Sequence, residues 1–264
     1  MMLSFRSILT VAAAGFLSVL AASAAFSTLQ LQSPSPIAKE AAAMPLIVNP
    51  SDDAERRINA AVKRLDANLR KAIRECKGPN NGTPNWVRKI EPTMTGPSYL
   101  SFVTRDTSFC GGPYPSIGTM AIVYDLRTGA PVDWTRLLPP SLTGQVALVT
   151  LASPRLYSLY LSGYAHALQM AGNDIAAEDL ASCKEAVQET ANPPMMVWLD
   201  AQSGGMAVQF DLSHAVQVCA VPVVIPVAVL RAEGANPDLL DAIDAAHTEW
   251  GSRHAAMDRG RDTL

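Results

Sequence analysis

Apolar residues recur along this chain with two periods, and the switch between them marks out the elements. Ile58, Val62, Leu65, Leu69 and Ile73 fall three or four residues apart, the spacing that draws one apolar stripe along a helix. Asp52, with Glu55 three residues later, supplies capping chemistry at its start, and Gly78-Pro79 ends it. Arg70, Lys71, Arg74 and Lys77 sit toward its C-terminal end, where the helix dipole favours positive charge, and read as a solvated face. From Tyr99 the period becomes two. Tyr99 to Thr104 and Thr119 to Leu126, rich in Tyr, Phe, Val and Ile, predict strands. Arg127-Thr128-Gly129 makes the turn after the second.

Helical spacing returns at Ser153-Pro154, an N-cap followed by Pro in the first turn. Tyr157, Tyr160 and Tyr164 share a face of that helix, and at this spacing a tyrosine stripe is more often core than sugar-binding groove. A second helix is predicted from about Asp174 to Glu189. Met195 to Asp200 and Met206 to Asp211 flank Gly204-Gly205 as a hairpin. Val216 to Leu230 is apolar but broken by Pro222 and Pro226, which predicts a strand near a sheet edge rather than a membrane span. Asn236-Pro237-Asp238 starts a last helix through Trp250. Runs of strands interrupted by helical blocks predict an α+β fold, an antiparallel sheet with helices packed beside it.

The N-terminal region reads differently. Arg6 precedes an uncharged run from Ser7 to Phe26, and Ala22-Ser23-Ala24 has the small-x-small pattern of a signal peptidase site. Residues 1–24 therefore read as a signal peptide, residues 25–50 as an extended linker rich in Pro and Ala, residues 51–252 as one domain, and 253–264 as a flexible tail. Export to the periplasm or medium is the expectation. The same apolar run, left uncleaved, would be an anchor, and only then is the membrane a partner. A lipoprotein anchor is excluded, because no cysteine lies near the end of the run.

Composition adds two exclusions. A net charge of −3 with no concentrated basic patch argues against a nucleic-acid partner. The four cysteines, Cys76, Cys110, Cys183 and Cys219, form no C-x-x-C pair, so neither a zinc knuckle nor a thioredoxin-like site is indicated. An even number in an exported chain favours disulfides in one of three connectivities. The pairing expected here is Cys76–Cys110 with Cys183–Cys219. Nucleophile elbows, H-E-x-x-H, Walker loops and dinucleotide fingerprints are absent. His166, His214, His247 and His254 show no metal spacing, so neither metal nor cofactor is expected. Asn81-Gly82-Thr83 fits a glycosylation acceptor.

The segment from Phe109 to Trp134, FCGGPYPSIGTMAIVYDLRTGAPVDW, carries the strongest candidate site. Gly111 and Gly112 allow backbone geometry that other residues resist, while Pro113 and Pro115 stiffen the loop around Tyr114. With YLSF before it, the pattern CGGPYP, YDLRTG and PVDW resembles an exported bacterial domain. That domain forms the C-terminal part of the lysozyme-sensing anti-sigma factor RsiV and accompanies the deacetylase in PdaC. The hairpin MMVWLDAQSGGMAVQFDL, Ile225-Pro226 and Leu230 extend the resemblance over about residues 86–233. This chain has Pro113-Tyr114 where that family often has Ala-His, so no role of the histidine is carried over. The resemblance implies a non-enzymatic binding domain whose partner is a lysozyme-like protein or peptidoglycan. Gly111, Gly112, Tyr114 and Pro115 are its candidate ligand-binding residues. The alternative is a cell-wall-active hydrolase or deacetylase-associated enzyme that uses Asp125 with Asp211 or His214.

Overall fold

The computed structural model describes residues 29–76, 85–111, 114–147, 149–171, 177–190, 192–212 and 214–261, with the backbone path alone at 177–180, 214–215 and 257–261. The expected signal peptide, the Gly78-Pro79 helix stop, Asn81-Gly82-Thr83, Gly112 and Pro113 lie outside the described residues.

Helix α1 (Asp53–Glu75) opens as its sequence predicts. Asp52 accepts a hydrogen bond from the Glu55 N–H at 2.8 Å, and the Glu55 carboxylate accepts from the Ser51 N–H. Ile58, Val62 and Leu69 are buried, with Leu65 and Ile73 half-buried along the same stripe. That stripe covers one face of a four-stranded sheet. The strands β4 (Asn85–Thr95), β5 (Tyr99–Phe109) and β6 (Ser116–Asp125) form an antiparallel meander, and β2 (Glu40–Ala41) runs parallel to β4 at its edge. Leu100, Phe102 and Tyr124 pack with Ile58 and Val62 under α1. Residues one position away, Tyr99, Val103, Ala121 and Val123, point to the other face and enter the main core.

Leu29–Pro50 is not a free linker. β1 (Leu31–Gln32) pairs with β3 (Leu46–Ile47), and Ala41 and Met44 are fully buried against α1 and the sheet. Two polar anchors on α1 hold this segment. Asp66 accepts the Met44 N–H at 3.0 and 3.1 Å, while Asn59 accepts from the Ile47 N–H and donates to its carbonyl. Its apolar residues Leu31, Met44, Leu46 and Ile47 pack with Ile58 and Val62 of α1.

The second sheet has five antiparallel strands in the order β11 (Val223–Pro226), β10 (Gly205–Phe210), β9 (Met195–Asp200), β8 (Thr150–Ala152) and β7 (Gln145–Ala147). Strand β9 packs against β4, β5 and β6, so the two sheets share the main core. Helix α4 (Pro154–Ala171) lies on the second sheet. Its Tyr157 and Tyr160 rings meet Phe210 edge-on at 5.9 and 5.2 Å. The hydroxyls of Tyr157, Tyr160 and Tyr164 donate to the carbonyls of Val187, Val221 and Cys219. The tyrosine stripe is core. Helix α5 (Ala177–Gln188) is joined by the Cys183–Cys219 disulfide to a 3₁₀ segment, His214–Cys219.

The apolar stretch Val216 to Leu230 departs from the single strand expected. The 3₁₀ segment ends at Cys219, only Val223–Pro226 is extended, and α6 (Val227–Glu233) begins after Pro226. The two prolines divide it, and β11 does lie at the sheet edge. Two short helices, α2 (Trp134–Leu137) and α3 (Pro140–Thr143), follow β6, and α7 (Pro237–Arg261) continues past Trp250 through most of the charged C-terminal stretch. The fold is α+β with two disulfides. No described helix is long and apolar enough to cross a membrane.

Candidate functional site

Strands β5 and β6 stay in register from Tyr99↔Asp125 out to Ser108↔Ser116. As far as Thr104, β5 is buried on both faces. Beyond it, Arg105 and Thr107 are exposed. The hairpin therefore runs about 14 Å past the two cores before it turns. The connection lies between Phe109, the end of β5, and Ser116, the start of β6. At its root Cys110 is bonded to Cys76, the C-cap of α1, with Cα atoms 4.9 Å apart. Gly111 has φ 91°, the left-handed region that a β-carbon resists, and it turns the chain out of β5. Tyr114 at the tip is 69% exposed, and Gly111 and Pro115 are exposed beside it. The structure thus gathers Gly111, Tyr114 and Pro115 at one extremity. Ile117, 46% exposed near the start of β6, adds apolar surface that sequence reading missed. The signal was present, because alternation from the buried Ala121 and Val123 puts Ile117 on that strand face at a level beyond the second sheet.

A polar chain anchors the hairpin from inside. The Trp86 Nε1–H donates to Asp106 at 3.0 Å, Asp106 faces the Arg88 guanidinium at 3.4 Å, and Arg88 reaches Asp66 of α1 at 3.6 Å. Arg88 and Asp66 are both buried. Burial pushes the Asp66 carboxyl above its ordinary range, against the opposing pull of the Met44 N–H and Arg88. This arrangement fixes where the tip stands. The tip itself offers an aromatic ring, an aliphatic side chain and backbone, which suits contact rather than bond cleavage.

The alternative catalytic set is used elsewhere. Asp125 ends β6 and caps the following turn, accepting from the Arg127 N–H at 2.7 Å and its guanidinium at 3.2 Å. Burial alone would raise its carboxyl, but the hydrogen bonds and charge of Arg127, with the Thr128 N–H, hold it below the usual range. Gly129, at φ 71°, closes that turn so near α1 that a β-carbon would lie 2.4 Å from the Ala54 carbonyl oxygen. Asp133 caps α2 through Thr135. Asp211 accepts from Gln217, and burial raises its carboxyl. Asp125 lines a cleft of about 620 Å³ with Arg127, Asp133, Arg136 and Asp238, and Asp211 is not among its walls. The His214 side chain lies outside the described residues. His247 meets the Ala201 carbonyl at 2.8 Å, and His254 stacks on Trp250 at 3.7 Å. Among the described residues, no three His, Cys, Asp or Glu side chains converge as a metal site.

No family model and no curated protein matches the sequence. Among solved structures, a DUF3298 family protein from Pseudomonas aeruginosa PAO1 aligns with 81% of this chain and 97% of its own, at a TM-score of 0.51 and 13% identity. This chain shares its fold with DUF3298 family proteins. A second member, from Bacteroides fragilis NCTC 9343, aligns with 82% of this chain and 95% of its own, at a TM-score of 0.50 and 11% identity. At such identities the likeness is one of fold, that of a bacterial domain of unknown function.

Proposed function

We propose that this protein is an exported, non-enzymatic binding protein that holds a protein or cell-wall ligand at the tip of the β5–β6 hairpin. The observation that carries the reading is Tyr114, 69% exposed at the end of a hairpin rooted in the Cys76–Cys110 disulfide. An aromatic anchor on a rigid support loses little conformational entropy on binding, and exposed tyrosines are frequent interface hot spots. Two disulfides favour an oxidising compartment, the periplasm or the medium. The resemblance over residues 86–233 supplies the ligand class, a lysozyme-like protein or peptidoglycan.

The test pairs a pull-down on purified peptidoglycan and on lysozyme with a turnover assay on the same peptidoglycan. Retention of the wild type without turnover, lost in Tyr114→Ala while circular dichroism is unchanged, is the expected result. Turnover abolished by Asp125→Asn would reverse the reading in favour of a hydrolase.

A further inference from the structure

Strand β6 ends its sheet, so one side of it faces no strand among the described residues. The turn after it shows which backbone groups lie on that side. The Val123 carbonyl accepts from the Val132 N–H at 2.8 Å, and the Asp125 N–H donates to the Ala130 carbonyl at 2.9 Å. At Val123 and Asp125 the backbone therefore points away from β5. The register with β5 is unbroken from Asp125 back to Ser116. Because backbone direction alternates along a strand, the N–H and C=O groups of Ala121, Thr119 and Ile117 point the same way. Ala121 is buried, but Thr119 is half-buried and Ile117 is exposed. Among the described residues no hydrogen bond reaches the outward groups of Ile117 or Thr119.

The other edges of the two large sheets are blunted. Strand β4 has β2 beside it, β7 is three residues long, and β11 carries Pro226. From Ser116 to Tyr124, β6 has neither a charge nor a proline. A long uncharged edge left open pairs readily with another chain. Gly118 is a second, independent feature of this edge. Its φ is not left-handed, and a β-carbon there would meet nothing within 4 Å. Neither backbone geometry nor packing within the chain calls for glycine. A glycine inside a strand often marks the close approach of a ligand or another backbone. Gly118 stands opposite Asp106, with Ser116 and Met120 on the same face of β6, so it leaves a notch beside the open edge.

We propose that the outer edge of β6 receives an extended segment of a partner protein as an added strand. Its main chain pairs with Ile117 and Thr119, and a large aromatic side chain lies over Gly118. Donors and acceptors that repeat every two residues, or about 7 Å, match a polypeptide and not a glycan. Antiparallel addition puts Gly118 in a non-hydrogen-bonded pair, where facing side chains come closest, and an aromatic ring there covers the bare glycine. The edge is continuous with the exposed Ile117 side chain and the Tyr114 tip. Strand addition rests on the proposed role of the outer hairpin in binding, and it makes the ligand a protein.

The probe is a capped peptide, acetyl-Thr-Val-Thr-Phe-Thr-Val-Thr-amide, titrated into the full chain and followed by its backbone amide NMR signals. Saturable binding is expected, with exchange slowed at the Ile117 and Thr119 amides and unchanged in β9 and β10. The same peptide N-methylated at the two threonines beside Phe lacks the donors that face β6 and should not bind. Thr119→Pro removes an outward N–H, leaves the bonds to β5 in place, and weakens binding about tenfold. Gly118→Val, whose β-carbon enters open space, abolishes the preference for Phe over Ala at the central position. Tyr114→Ala leaves peptide binding intact, because Tyr114 lies outside the paired residues, so the tip and the edge fail separately. The proposal is overturned if the peptide does not saturate or if N-methylation, Thr119→Pro or Gly118→Val costs nothing. It is also overturned if the Ile117 and Thr119 amides are already protected in a dimer of the free chain, which would assign the edge to a second copy.

Discussion

Asp66 joins three parts of the chain at one carboxylate: α1, the Met44 N–H of the N-terminal segment, and Arg88 of β4. Removing it leaves the Arg88 guanidinium buried with Asp106 alone and orphans the Met44 N–H. Asp66→Ala should therefore destabilise the protein by about 3–5 kcal/mol, measured by urea unfolding. Asp66→Asn keeps an acceptor for Met44 and should lose less. A midpoint unchanged in Asp66→Ala would show that the buried chain is not holding these elements together. The pH dependence has two signs. Because the folded Asp66 carboxyl is raised, the stability linked to its protonated form is full below the unfolded value and is lost as pH rises through the folded one. Asp125 is held low, so its contribution is present above the unfolded value and is lost as pH falls through the folded one. In melting curves, the deficit of Asp125→Asn relative to wild type should be clear at about pH 7. It should close as pH drops below the ordinary 3.8. A deficit that persists at the acid end would contradict the capping role.

Elements with an undisturbed period were legible in the sequence. The α1 stripe, the tyrosine face of α4 and the β9–β10 hairpin stand where their spacing puts them. Strand β4 was not legible. NWVRKIEPTMT mixes charge into its buried positions, because Arg88 turns inward to meet Asp66, and Pro92 disguises a strand that shifts register before Met94. The N-terminal segment was misread for a related reason. Prolines and alanines suggest mobile chain, while its burial depends on Asp66 and Asn59, which lie far along α1. The cysteine pairing followed from spacing, and the structure gives it a purpose at the hairpin root. Replacing Cys76 and Cys110 with Ser together should cost about 3–4 kcal/mol through loop-closure entropy. Amide exchange should quicken across the outer halves of β5 and β6 more than in β9 and β10. Uniform acceleration through both sheets would mean the disulfide stabilises the whole molecule without fixing the hairpin.

At the scale of the molecule, two sheets share one core, and α1 with the N-terminal segment seals the outer face of the first sheet. The outer half of the β5–β6 hairpin lies beyond both cores, and it carries Tyr114 and Ile117. Part of that site could be read in advance, since Gly111, Tyr114 and Pro115 are close in sequence. The most direct test of the account is an equilibrium binding titration on purified peptidoglycan and on lysozyme, comparing wild type with Tyr114→Ala. Saturable binding of wild type to one of the two is predicted, weakened at least about 30-fold in the variant, the effect of losing an interface hot spot. Equal affinities for wild type and Tyr114→Ala would contradict it.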